Sequence, residues 1–155
     1  METVKITETL PIDCTRADIS VRSRKHALEI AAELLAKKEF SLTERYIFDA
    51  FMERERLGTT NLGNGVAIPH CRLNCSVIRS SFLIFSDSIN YDDSEQDNIY
   101  MLFALIVPTS ENDLHLELLA KLSAIFSDSK NREMLKSSTT DGELNNTMIR
   151  LLDSV

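Results

Sequence analysis

Nine consecutive apolar residues, Ile99-Tyr-Met-Leu-Phe-Ala-Leu-Ile-Val107, run straight into Pro108. The run is about half the roughly 18 residues that a membrane-spanning helix needs. It carries no polar positions for a wet face, so it reads as a strand covered on both sides, at the centre of a sheet. A strand of that kind requires a layer of other elements above it and another below. Ser80 to Phe85 reads as a second strand, and the polar stretch Ser86 to Asn98, with Asp87, Asn90, Asp92, Asp93, Ser94 and Asp97, carries turn chemistry between the two. A hairpin connection there makes at least one antiparallel pair.

The covering layers are visible as helical periodicity. Ala27, Leu28, Ile30, Ala31, Leu34 and Leu35 recur at helical spacing between Ser23, placed to cap, and Lys37-Lys38, placed to suit the dipole. Asp18-Ile19-Ser20-Val21, just upstream, alternates as a short strand does. A second helix opens at Thr43-Glu44, runs through Ile47, Phe48, Ala50, Phe51 and Leu57, and stops at Gly58. A third follows Thr109-Ser-Glu-Asn-Asp113, with Ser110 and Asp113 at capping-box spacing and Asp in place of Glu. Its apolar face is Leu114, Leu118, Leu119, Leu122, Ile125 and Phe126. Two more helices are expected between Asn131 and Leu152, around Leu135 and around Leu144, Met148, Ile149, Leu151 and Leu152. Long crossings such as Ile19 to Val66 permit parallel neighbours, so the expected fold is an α/β sandwich on a mixed sheet, one domain over residues 1–155.

Composition narrows the function. With 43% hydrophobic and 26% charged residues the chain has the make-up of a soluble globular protein. A net charge of −7 leaves no basic footprint for nucleic acid or an anionic membrane. The start, Met-Glu-Thr-Val-Lys-Ile-Thr-Glu-Thr-Leu, has neither a basic region nor an apolar one to direct export, so a cytosolic location is expected. There Cys14, Cys71 and Cys75 stay reduced. A metal site from His70, Cys71, Cys75 and His115 fails on its loose Cys-x3-Cys spacing and the lack of a second pair. Cys71 as a nucleophile fails because neighbours on an extended segment point to opposite sides. His26 lies among Arg24, Lys25 and Glu29 and is a solvated helix residue.

Chemistry concentrates between Leu57 and Arg72. Three of the four glycines, Gly58, Gly63 and Gly65, fall within eight residues, which marks a built loop where the backbone takes positive φ or approaches something closely. Val66-Ala67-Ile68 is a short strand, and Pro69 fixes its own φ while keeping Ile68 extended. His70 is therefore held out at the end of that strand.

Gly63-Asn-Gly-Val-Ala-Ile-Pro-His70, preceded by Glu53-Arg-Glu-Arg-Leu-Gly58, resembles the phosphorylation-site signature of enzyme IIA components of the bacterial phosphotransferase system. The branch is the fructose/mannitol type, which includes the nitrogen-regulatory proteins. Val107-Pro-Thr-Ser followed by His115-Leu-Glu-Leu-Leu-Ala-Lys-Leu-Ser is similar to the family's second histidine block, so the likeness spans nearly the whole chain. It implies a central mixed sheet of about five strands with helices on both faces. It also implies that His70 accepts a phosphoryl group, through Nε2, from the phosphohistidine of a small carrier protein. Arg54 and His115 then border the acceptor, a role that does not extend to Arg56. Cys71 departs from the family, which most often has glycine after the Pro-His pair.

Both histidines follow strand ends, where open α/β sheets place their sites. A neutral imidazole is a competent acceptor, and phosphoryl transfer then needs in-line placement and donors for the phosphoryl oxygens. Arg54, His115, the positive end of the helix starting near Ser110 and the N–H groups of the phosphate-cradling loop Gly63, Asn64 and Gly65 can supply them. The chain lacks the glycine-rich nucleotide loop and the kinase motif set, so the donor is a protein rather than ATP, and no cofactor or metal is called for. The helix Ser23-Arg-Lys-His-Ala-Leu-Glu-Ile-Ala-Ala-Glu-Leu34 looks like its counterpart in the nitrogen-regulatory group. That favours a regulator whose phosphorylation state controls targets such as transporters or sensor kinases, over a sugar-transport component that hands the group to a membrane enzyme IIB. A binding module that only docks partners is the alternative of a different class.

Overall fold

In the computed structural model, which describes residues 5–92, 98–111 and 113–154, the apolar run forms β6 (Asn98–Pro108). Ile99 and every residue from Met101 to Val107 are shielded from solvent, so the expectation of a strand covered on both faces holds. The other strands are β1 (Thr15–Ile19), β2 (Asn61–Gly63), β3 (Val66–Ala67), β4 (His70–Leu73) and β5 (Arg79–Asn90). The sheet is mixed, as expected, and has six strands where about five were implied, in the order β1-β5-β6-β3-β2, with β4 also on β6. β5 and β6 are antiparallel, whereas β1 lies parallel to β5, and β3 and β4 lie parallel to β6.

The extra strand is a matter of one missing rung. Val66 aligns with Met101, Ala67 with Leu102, His70 with Leu105 and Leu73 with Pro108, an unchanged register from β3 through β4. Pro69 turns its carbonyl to Leu105 N (2.9 Å) but has no N–H to give back. The ladder is interrupted there and the strand beside β6 reads as two.

The helices are α1 (Arg24–Ala36), α2 (Glu44–Arg56), α3 (Asp113–Ser127), α4 (Ser129–Lys136) and α5 (Asp141–Ser154). Their starts follow the capping residues: Ser23 accepts from His26 N, Thr43 from Tyr46 N and Asp128 from Lys130 N. They lie on both faces of the sheet. Ser81 Oγ donates to Ala31 O of α1 on one face, and on the other the rings of Phe82 and Phe103 meet Phe126 of α3 at 6.1 and 6.3 Å.

Two strand boundaries and one helix start differ from expectation. β1 ends where Asp18-Val21 was to begin. Asp18 has φ 51°, and the register against β5 shifts between Arg16 and Ile19, so the alternation there marks a bulge at a strand end. The strand body is Thr15 to Ala17, tied to α5 by Asp141, which accepts from Ala17 N (2.8 Å), and by Asn145, which donates to Thr15 Oγ1 (3.0 Å). β5 continues past Phe85 to Asn90 because Ile89 and Asn90 still pair with Ile99 and Asn98, and a register shift absorbs the polar Ser86-Asp-Ser88. Asp93, Ser94 and Asp97 of the expected turn lie outside the described residues. α3 opens at Asp113, not near Ser110, and Asn112 is also outside them.

Candidate functional site

His70 opens β4 and so sits along the sheet edge, not beyond a strand end as its sequence suggested. Pro69 and the extended Ile68 bring the imidazole back over its own chain. Nδ1 lies 2.7 Å from Ile68 O. A carbonyl only accepts, so Nδ1 carries the hydrogen and Nε2 is left with its lone pair. That is the nitrogen the family resemblance implied, reached here from a hydrogen bond.

On β4 alternate residues share a face, so Arg72 points the way His70 does. The ring of His115, the third residue of α3, stands edge-on to that of His70 with centroids 5.8 Å apart and planes inclined at 61°. His115 is 9% exposed where an exposed helix residue is the ordinary reading. Arg72 Nη2 lies 3.2 Å from His115 Nδ1, while Nη1 reaches the carbonyls of Pro108 (3.2 Å), Thr109 (3.4 Å) and Glu111. An arginine has only donors, so His115 Nδ1 accepts and the hydrogen is on Nε2. Nε2 is buried and meets no hydrogen-bond partner among the described residues. Burial, then the charge of Arg72 and the neighbouring His70, hold the pKa of His115 below the usual imidazole value, against the opposite pull of Glu111. The ring is therefore neutral at pH 7: a donor with nothing yet to donate to, beside an acceptor-ready nitrogen.

Among the described residues Arg54 is hydrogen-bonded away from this pair. In the last turn of α2 its guanidinium donates to Gly58 O (2.9 Å) on an exposed surface. Its charge is felt at Cys71, the β4 residue that faces away from His70. No hydrogen bond joins Arg54 to His70 among the described residues. Arg56 pairs with Glu53 (3.3 Å) in solvent.

The glycine loop is placed elsewhere. Asn64 and Gly65 have φ of 58° and 81°, the positive pair that a two-residue hairpin turn demands, and they join β2 to β3 across the Gly63–Val66 pair. Gly65 O accepts from Tyr100 N (2.9 Å), five rungs from the Leu105 level of His70, or about 16 Å along a strand. Gly63 and Asn64 line a hollow with Ser123, Phe126 and Ser127 at the far end of the same α3 whose first turn holds His115. So Gly63, Asn64 and Gly65 do not reach the histidines, and their expected cradle is a turn that starts the strand leading to His70. The positive end of α3 is also already engaged, since Glu111 Oε1 accepts from Leu114 N (3.0 Å).

Cys71 fits without glycine. Its backbone is ordinary strand with no positive φ, and burial pushes its thiol up to about 12, which keeps it protonated. Arg72, not singled out from the sequence, was within reach of the period-two rule that set Cys71 aside. The same rule puts residue 72 beside residue 70.

The chain matches the family model described as the phosphoenolpyruvate-dependent sugar phosphotransferase system, EIIA 2, over residues 8–150. It is 34% identical over 144 residues to a nitrogen regulatory protein of Escherichia coli, covering 92% of this chain and 88% of that one. It is 31% identical over 140 residues to a mannitol-specific phosphotransferase enzyme IIA component of Halalkalibacterium halodurans, covering 88% of each. Its fold superposes on the crystal structure of the nitrogen regulatory protein IIA-Ntr from Neisseria meningitidis with a TM-score of 0.86 at 33% identity, covering 92% of this chain and 98% of that one. With a matched model spanning both histidine blocks and the whole sheet, this chain belongs to the EIIA type-2 family of the phosphoenolpyruvate-dependent phosphotransferase system and is a phosphotransferase component.

Proposed function

We propose that His70 takes the phosphoryl group on Nε2 from the phosphohistidine of a small carrier protein, and that the phosphorylated protein acts as a nitrogen-regulatory switch in the cytosol. The observation that carries the chemistry is the 2.7 Å contact between His70 Nδ1 and Ile68 O, which favours a lone pair on the nitrogen turned from its own backbone. In the step the donor's N–P bond breaks as the His70 Nε2–P bond forms. The donor ring leaves with its lone pair, and the Nδ1 hydrogen of His70 stays where it is, so no proton need move. The ring gains positive character as it bonds phosphorus, and the Ile68 carbonyl is suited to stabilise it. His115 Nε2–H is the donor for an equatorial phosphoryl oxygen. Arg54 joins it by exchanging its Gly58 carbonyl for the incoming charge.

The nitrogen-regulatory use rests on likeness to the E. coli and N. meningitidis proteins. About two added negative charges at His70 change which partners dock around it, so targets that accept the neutral imidazole are released on phosphorylation. Among the described residues no helix is long and apolar enough to cross a membrane. Likeness to a mannitol-specific component supports the second reading, in which the group passes on to a membrane enzyme IIB and a sugar.

Incubation with phosphoenolpyruvate, enzyme I and the carrier is expected to give one label, stable in base and labile in acid, on His70 by mass spectrometry. Partner capture from lysate is then expected to differ between the phosphorylated protein and His70→Ala treated alike. Equal capture in both states with rapid transfer to an enzyme IIB replaces the switch by the transport reading. Absence of any label leaves only a docking module.

A further inference from the structure

The acceptor role of His70 and the donor role of His115 leave unused the guanidinium of Arg72, which lies against the Nδ1 side of the His115 ring. We propose that Arg72 is a positioning residue for phosphoryl transfer, a clamp that holds His115 as its neutral Nε2–H tautomer so that this hydrogen faces the phosphoryl group on His70. The proposal rests on the reading that His70 is the acceptor and His115 a donor to it.

The clamp has two jaws. Arg72 Nη1 gathers the carbonyls of Pro108, at the end of β6, and of Thr109 and Glu111 just after it, which fixes the plane of the guanidinium. Nη2 then lies 3.2 Å from His115 Nδ1, and a group that can only donate permits only an acceptor there. A protonated His115 would set two N–H groups head to head, and the other neutral tautomer would do the same. Only one of the three states of the ring is compatible with Arg72 as it stands. That state puts the hydrogen on Nε2, which is buried and has no partner among the described residues.

The charged and titratable groups facing the ring agree in sign except one. Arg72 and His70 from β4 both disfavour protonation, as does burial, while Glu111 from the loop favours it. Glu111 is itself occupied by capping Leu114 N. His115 is thereby kept from becoming a cation that would hold a phosphoryl group too tightly to pass on, while still offering one hydrogen bond. Lysine in place of Arg72 would keep the charge but not the planar fork that serves three carbonyls and a ring nitrogen at once.

The decisive measurement on the unaltered protein is the ring 15N spectrum of His115. Expected is a neutral ring protonated on Nε2 that persists below the titration range of free imidazole near pH 6.5. In Arg72→Met and Arg72→Lys the ring is expected to populate the Nδ1–H tautomer and to titrate closer to free imidazole. Transfer from the phosphorylated carrier falls about ten-fold at pH 7.5 and acquires a new dependence on pH between about 6 and 7. A wild-type His115 that carries its hydrogen on Nδ1 overturns the proposal. So do unchanged tautomer, rate and pH profile in Arg72→Lys, which decides the matter even where Arg72→Met does not fold. His115→Ala separates the two levels: if it transfers at the wild-type rate, the site reading fails, whereas a slow His115→Ala beside a wild-type Arg72→Lys removes the role of Arg72 alone.

Discussion

The two halves of the split strand, β3 and β4, keep one register against β6 and do opposite things. At the β3 end, Asn64 and Gly65 turn the chain with positive φ, and Gly65 lies so near Tyr100 that a Cβ would fall 2.4 Å from the ring. At the β4 end, His70 and Arg72 face His115 with no unusual backbone at all. The first end is bound by sterics and the second by which atoms carry hydrogens. An unbroken sequence motif can thus be two places, a device that lays down a strand and, about 16 Å further on, the chemistry that strand delivers.

That contrast breaks most decisively at His70. His70→Ala is expected to lose all phosphorylation while its thermal unfolding stays close to wild type, and residual label at the wild-type rate moves the acceptor elsewhere. His115→Ala is expected next. Losing one preorganised donor slows transfer about 10²–10³-fold, roughly 3–4 kcal/mol, in single-turnover assays with the phosphorylated carrier. Gly65→Ala should do the reverse. Strained φ and the overlap with Tyr100 cost about 2–3 kcal/mol in urea unfolding, while transfer per folded molecule stays within a few-fold of wild type. A hundred-fold slower transfer in a folded Gly65→Ala protein would make the two ends one site after all. Arg54→Ala, whose guanidinium now rests on Gly58 O, is expected to slow transfer about ten-fold, or about 1.4 kcal/mol. Identical rates would leave it a helix-end hydrogen bond.

The smallest effect is in pH. Because the folded protein holds the His115 pKa down, the unfolded chain takes up a proton first as the pH falls below about 6.5. The stability His115 contributes as a neutral ring is whole above that value and is lost on acidification toward its lower folded pKa. Urea unfolding at pH 7.5 and 5.5 is expected to show a smaller acid loss in His115→Gln than in wild type. Gly65→Ala should lose the same amount at both pH values. Asp13, held below the usual carboxylate range by Lys38, and Glu39, whose burial raises it but is outweighed by hydrogen bonds from Ser76, Ser41 and Arg79, act at lower pH.

What the sequence disclosed follows the same division. β6 was legible because burial on two faces leaves an unbroken apolar record, and α1 and α2 because Ser23 and Thr43 cap where their periodicity starts. β5 beyond Phe85 was not, because Ser86-Asp-Ser88 looks like a turn and is strand only through its partner Asn98-Ile99. His70 and His115 were singled out by motif and position, and the fold sets their rings 5.8 Å apart. The tautomers of both rings needed Ile68 O and Arg72, which come to them only through the fold. Gly63 to Gly65 misled for a physical reason. Glycines near a reactive histidine suggest close approach to a ligand, and here the close approach is to Tyr100.

The bond between His70 and Ile68 has a second effect, on the sheet as a template. Ile68 directs both its backbone groups outward from β6. Its N–H goes to Thr60 O (3.0 Å), and its carbonyl would stand open at a sheet margin were it not covered by the imidazole. Open strand margins invite a further strand, from a second molecule or a partner's tail. The side chain proposed as acceptor is therefore also the plug of its own sheet, and a protein stripped of His70 to mimic the resting state exposes a backbone acceptor that the imidazole otherwise covers.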